Sequence, residues 1–383
     1  MHICFITSEY PKKGFSHGGI GTFVATIAKV LVEKGVKVSV VGINYKPIEN
    51  LEIDKGVAVY RLKPSKIKGL KWWFNSQLIN KKIKAIHKEN PISIIETPEL
   101  GLAFVNKLKD IVYVIRLHGG HHFFAKAEER SINWWKGFQE KRSFKKADGF
   151  IAVSNYVKEH TETYLSYFNK PVIKISSPID LTIFKPKPKI EVKQNSLLFA
   201  GTVCRKKGIK HLIEAMPMVI EKYPNVKLNI YGRDWFFPNG TSYINYLKTE
   251  VLPSIKNWSK YIVFHGVVPY ETLVYKYAEA QVCIFPSLME TQGLVAPEAM
   301  ATNKTVIFSE TGPGKETMTH KETGLLCNPY DLNSISNTII WALDNKEESL
   351  NIAKKGRSFV LNNFNIDILI EKNISFYKTL IMS

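Results

Sequence analysis

Two glutamates in one short stretch hold the most chemistry in this chain: Phe285-Pro-Ser-Leu-Met-Glu-Thr-Gln-Gly-Leu-Val-Ala-Pro-Glu-Ala-Met. An apolar strand-like run ends at Phe285, a loop carries Glu290 and Gly293, and a helix opens near Leu294–Ala296 with Glu298 in its first turn. The free amides of such a turn, with the helix dipole behind them, form an anion site suited to a diphosphate. A carboxylate there opposes a phosphate unless it serves another group. A ribose diol is the natural partner, because one carboxylate accepts two hydroxyl protons at once. Taken alone, Glu298 also reads as a helix-start charge that the dipole favours; a second carboxylate and the glycine-containing loop shift the balance toward a site.

The stretch Phe199-Ala-Gly-Thr-Val-Cys-Arg-Lys-Lys-Gly-Ile also follows a strand and precedes a helix, and it brings Arg205, Lys206 and Lys207 together before Gly208. Cations at the carboxyl end of a parallel strand face a ligand crevice, where they neutralise charge on a departing diphosphate; otherwise the triplet is a solvated basic turn. The glycines of Ser16-His-Gly-Gly-Ile-Gly-Thr let backbone approach a ligand closely. They are not a dinucleotide fingerprint, since the spacing is not G-x-G-x-x-G and the second strand ends in Val40-Val-Gly-Ile-Asn without an acid. Gly312-Pro-Gly-Lys-Glu-Thr lacks P-loop spacing. His118, in Arg116-Leu-His-Gly-Gly-His-His, is placed to hydrogen-bond a sugar hydroxyl or backbone. The adjacent His121 and His122 cannot easily converge on a metal with it, no Asp-x-Asp occurs, and no metal site is expected.

These groups need a scaffold. Strand candidates His2–Thr7, Val36–Ile43, Val57–Leu62, Ile92–Glu96, Val112–Leu117, Gly149–Val153 and Val172–Ile175 alternate with helical spacing such as Phe23, Val24, Ile27, Ala28 and Leu31. Phe184-Lys-Pro-Lys-Pro-Lys-Ile reads as a linker. The alternation then restarts from Ser196–Ala200 and helix Ile209–Lys222, in which Pro217 should produce a kink, and ends in helices Leu350–Asn363 and Ile366–Ile381. This pattern predicts an α/β fold of two Rossmann-like domains facing each other across a cleft: an acceptor domain over 1–185, a donor domain over 190–363, and a final helix over 366–381 that packs back onto the first.

Together these residues resemble the family-4 retaining glycosyltransferases of the GT-B fold (glycosyl transferases group 1) over nearly the whole chain. The spacing of Glu290 and Glu298 after Pro286-Ser is the most specific element. Gly-Gly-Ile-Gly-Thr with its following helix, Ala200-Gly-Thr-Val-Cys-Arg-Lys-Lys-Gly, and the Thr311-Gly-Pro-Gly-Lys-Glu loop also correspond. The family's customary arginine after the glycine is here Thr202, which leaves Arg205 or Lys206 as stand-in beside Lys207. The resemblance implies a metal-independent, retaining hexosyltransferase with no cofactor, using a UDP- or GDP-sugar as donor. His118, Lys207 and Glu290 would be catalytic. Gly18, Gly19, Arg205, Lys206, Gly266, Gly293, Leu294, Val295 and Glu298 would bind the donor. The acceptor would be a hydroxyl of a glycan or lipid-linked molecule, in cell-surface polysaccharide or glycolipid synthesis. The alternatives are another enzyme of this fold that binds nucleotide sugars, such as an epimerase, or a basic nucleic-acid-binding protein, for which no motif is present.

The chain carries 53 basic and 34 acidic residues, a net charge of +19 that asks for an anionic partner or for compositional drift. Arg61 to Lys88 has many lysines and no acid around Trp72 and Trp73. That run describes either an interfacial helix for anionic lipid or a Trp pair packed on its own domain under a solvated face. Trp134-Trp135 offers a second such patch or an acceptor platform; Trp72, Trp73 and His121 are the acceptor-side candidates. Four scattered cysteines, no signal peptide and no apolar run of roughly 18 residues point to a cytoplasmic protein, soluble or peripheral at the inner face of the membrane.

Overall fold

The computed structural model describes residues 1–383 except 13, 14, 16, 17 and 129; Ser16 and His17 of the first glycine loop thus lie outside the described residues. The chain divides into two compact units, Met1–Pro178 with Ile366–Ser383, and Ile179–Asn365.

In the first unit the order is β1 (His2–Ile6), α1 (Gly19–Glu33), β2 (Lys37–Ile43), β3 (Asn50–Asp54), β4 (Val57–Leu62), α2 (Lys71–Glu89), β5 (Ile94–Thr97) and β6 (Val112–Leu117). Then follow α3 (His121–Ala127), α4 (Trp134–Lys146), β7 (Gly149–Ala152), α5 (Asn155–Glu162) and β8 (Val172–Lys174). The sheet runs β3-β4-β2-β1-β5-β6-β7-β8. All its pairs are parallel except β3 with β4. β1, β5 and β7 are buried along their whole length, as strands covered on both faces must be. The antiparallel edge strand β3 was not among the expected strands. It turns into β4 through Lys55 and Gly56, both at positive φ (49° and 85°), the geometry of a tight two-residue hairpin.

The second unit runs β9 (Ser196–Ala200), α6 (Ile209–Lys222), β10 (Lys227–Tyr231), α7 (Tyr243–Tyr246, prolonged by π and 3-10 turns to Tyr261), β11 (Ile262–Gly266), α8 (Tyr270–Glu279) and β12 (Val282–Phe285). It continues through α9 (Val295–Ala301), β13 (Thr305–Ser309), α10 (Gly314–Thr317), β14 (Leu325–Cys327), α11 (Leu332–Asp344) and α12 (Lys346–Asn363). Its six strands are all parallel, in the order β11-β10-β9-β12-β13-β14. Helix α6 runs through Pro217, and burial of Ile209, Leu212, Ile213, Met216 and Val219 offsets the missing amide bond. The supposed linker is also different: Phe184 is fully buried in the second core, so the chain is anchored before the proline-rich part begins.

Helix α13 (Ile366–Met382) follows the second unit in sequence and packs in the first. Its Leu369, Phe376 and Tyr377 join Ile3, Phe5, Val114 and Ile151 of the sheet and Phe23 and Ile27 of α1 in one core. At the centre Arg116 is completely buried; its Nε donates to Glu96 at 2.7 Å and its Nη2 to Glu96 at 3.1 Å and to Asn373 of α13. All four cysteines are free and buried. No helix among the described residues is long and apolar enough to cross a membrane.

Candidate functional site

In the second sheet, chain order departs from β9 in both directions, to β10 and β11 on one side and to β12, β13 and β14 on the other. The loops leaving β9 and β12 therefore lie at a topological switch point, the place where open α/β sheets bind ligands. Here the two loops touch. A Cβ on Gly208 (φ +67°) would stand 1.8 Å from the carbonyl oxygen of Pro286, so only glycine permits the approach. The carbonyl of Lys206 accepts from the amides of Leu288 (2.9 Å) and Met289 (3.2 Å). This stapling brings the Lys207 ammonium onto Glu290, whose Oε1 also accepts from Ser287 Oγ at 3.0 Å. The Lys207 and Glu290 side chains are only 19% and 11% exposed, so the pair keeps more of its strength than a surface pair would.

Beyond Glu290 the chain turns at Gly293 (φ +75°), where a Cβ would press on the Phe308 ring at 2.6 Å, and enters α9 through Leu294 and Val295. Glu298 in that first turn is buried. Tyr270 Oη donates to its Oε1 at 3.1 Å and Tyr277 Oη to its Oε2 at 3.4 Å. The tyrosines stand seven residues apart on α8 and so share a face, and the Phe184 ring packs against both. Each carboxylate oxygen thus holds one donor and keeps a lone pair for another. Burial pushes the Glu298 carboxyl up to about 8, against the pull of the two hydroxyls and of Lys207.

Two arginines stand on the loops after β9 and β10. Arg205 is exposed in the 3-10 turn Arg205–Lys207. Thr202 instead receives a hydrogen bond from Arg233 Nε at 3.2 Å, from the loop after β10. That loop is tied to this one by Val203 N donating to Arg233 O at 2.8 Å. Gly232 donates to the carbonyl of Gly266 (φ +73°), so the ends of β9, β10 and β11 meet at glycines. Among the described residues no group of three or more His, Cys, Asp or Glu could hold a metal ion.

Residues 181–359 match the family described as Glycosyl transferases group 1, and residues 17–183 match Glycosyltransferase Family 4. A capsular polysaccharide biosynthesis glycosyltransferase of Staphylococcus aureus is 26% identical, with 78% of this chain and 80% of that protein covered. Sucrose-phosphate synthase from Thermosynechococcus elongatus has the same fold, with a TM-score of 0.85 at 23% identity over 99% of this chain and 98% of that one. The Anabaena protein HepE, solved in complex with UDP and glucose, superposes with a TM-score of 0.76 at 16% identity over 99% and 100%. The chain belongs to the family-4 glycosyltransferases of the GT-B fold.

In this glycosyltransferase the first unit carries the remaining candidates. Gly18 caps α1 and its amide donates to Glu9 Oε2 at 3.1 Å, while Gly19 has open space around its Cα. His118 leaves β6 edge-on to Phe23, at 5.2 Å between ring centroids. Burial and the Arg116 charge push its imidazole down to about 3, so it is neutral and offers hydrogen bonds rather than a proton reservoir. Two buried carboxylates hold the loop that carries it. Glu99 accepts from Gly119 N at 2.7 Å, and Glu140 accepts from the amides of His121 and His122, both at 2.9 Å, and pairs with the His122 ring. A Cβ on Gly120 would collide with Glu140 Oε1 at 1.7 Å. The His121 ring accepts from the Asn133 amide at 2.9 Å and so holds the entry to α4. Glu9, Glu99, Glu140, Arg233, Tyr270 and Tyr277 were not among the sequence candidates.

Proposed function

We propose that this glycosyltransferase moves a hexose, with retention of anomeric configuration, from a UDP- or GDP-sugar to a hydroxyl of a glycan or lipid-linked acceptor in polysaccharide or glycolipid synthesis. The observation that carries the reading is the meeting of Lys207, Glu290 and the opening of α9 at the switch point, with Glu298 buried in the first turn of that helix. Glu298 takes the ribose hydroxyls on its two remaining lone pairs. Lys207 and Arg233 face the diphosphate, with Arg233 supplying the guanidinium that Thr202 does not, and Lys206 and Arg205 add positive potential. The amides of Gly293, Leu294 and Val295 meet phosphate and sugar, and Gly266 leaves room for the nucleoside. Following the family pattern, His118 serves the sugar, and Gly18 and Gly19 the phosphate and acceptor. Fixed cations and amides stabilise the leaving diphosphate without a metal, and the acceptor hydroxyl attacks from the face that it leaves.

Ribose hydroxyls donate to the ionised form of Glu298, so nucleotide binding releases its proton. With the free carboxyl at about 8, affinity for UDP or GDP should rise by up to about tenfold per pH unit below that value and level off above it. Calorimetric titration across this range checks the expectation. Glu298→Ala should bind weakly and without this pH dependence; a variant that binds as the natural protein does would remove Glu298 from the site.

A further inference from the structure

The first unit carries an aromatic and basic ledge that the donor site does not use. Trp72, near the start of α2, packs on Phe104 at 4.5 Å and edge-on to Trp135 of α4 at 5.0 Å. Phe104 stacks with Trp135 at 5.8 Å, and both Trp135 (5.7 Å) and Trp134 (6.0 Å) stack with Phe138. Trp72 of the first Trp pair and both members of the second, far apart in sequence, therefore form one aromatic cluster. Trp134 at its edge is 77% exposed; along the start of α2 and the residues before it, Trp73, Ile67 and Leu70 are 43%, 47% and 51% exposed. A folded chain gains nothing by leaving such large apolar side chains in contact with solvent, and their grouping beside an aromatic cluster points to an interaction surface.

Charge decides what it meets. Lys66, Lys68 and Lys71 alternate with the exposed Ile67 and Leu70, and Lys136, Lys141 and Lys145 are exposed along α4. The one acid of α4, Glu140, is buried against His122, so that helix shows solvent no carboxylate. Tryptophans interleaved with lysines suit a bilayer interface, where indole rings settle at headgroup depth and ammonium groups reach lipid phosphates. We infer that this ledge docks the enzyme on an anionic membrane surface, with Trp134, Trp73, Ile67 and Leu70 entering the interface and the lysines pairing with acidic headgroups.

Cosedimentation of the full chain with lipid vesicles tests this. Vesicles containing phosphatidylglycerol should carry the protein down at low ionic strength, phosphatidylcholine vesicles should not, and added salt should weaken binding. The Trp73→Ala/Trp134→Ala variant should bind about tenfold more weakly with an unchanged circular dichroism spectrum. Absence of binding to the acidic vesicles at low salt overturns the inference. Equal binding by variant and natural protein also does, since charge alone would then suffice. Nucleotide does not enter the measurement, so its failure and a failure of the donor-site reading are separate results.

Discussion

Lys207→Ala should lower kcat by roughly 100- to 1,000-fold while changing KM for the donor far less, the pattern left by removing a group that acts mainly on charge developing in the transition state. Lys207 ends a 3-10 turn that Gly208 and the Lys206 carbonyl hold against the β12 loop, and its ammonium sits mostly out of water on Glu290. A preorganised charge in such surroundings needs no rearrangement when the diphosphate leaves, and it acts through less solvent screening than a surface lysine. Lys207→Arg should recover little, because a planar fork does not replace a compact ammonium at this short reach. Steady-state rates with saturating donor check this, and an alanine variant with the natural kcat would take the lysine out of the chemistry.

Glu96→Ala should destabilise the first unit by about 3–5 kcal/mol, because it leaves a buried guanidinium without its carboxylate. Arg116 cannot move to water: it is fully buried, lies over the Phe23 ring at 4.5 Å, and is bordered by Asn373 and Tyr377 of α13. Tyr377 also donates to Glu96 at 2.5 Å, so the same substitution loosens the hold on the C-terminal helix. The midpoint of thermal unfolding should fall by roughly 6–20 °C. Replacing both partners, Glu96→Met with Arg116→Met, should restore much of the loss, since no buried charge then remains. A midpoint that hardly moves in Glu96→Ala would show that the ion pair is not what fixes α13.

The strands were legible because parallel strands buried on both faces are written as apolar runs, and α1 because Phe23, Val24, Ile27, Ala28 and Leu31 repeat at helical spacing. Strand β3 was not, since its Leu51 and Ile53 face solvent and its turn is Lys55-Gly56 rather than an Asn-Gly. Phe184 misled because the prolines after it signal a linker while its own ring belongs to the core. At the site, the glutamates and the basic triplet Arg205–Lys207 declared themselves through type and spacing. Their supports did not. Tyr270 and Tyr277 have the spacing of any helix face that packs on a core, and nothing in sequence marks their hydroxyls as donors to Glu298. Arg233 lies on another strand's loop, so its bond to Thr202 exists only after β9 and β10 pair. Glu99 and Glu140 look like solvated carboxylates until the Gly119-Gly120 turn closes over them.

The proposed reaction is tested most directly by the anomeric configuration of the product, read by NMR after incubating the protein with UDP- and GDP-hexoses and lipid-linked or glycan acceptors, with and without EDTA. Retention and metal independence predict transfer from an α-linked nucleotide sugar to give an α-linked product, at a rate that EDTA leaves unchanged. An inverted product, or no transfer from any nucleotide sugar, would contradict it.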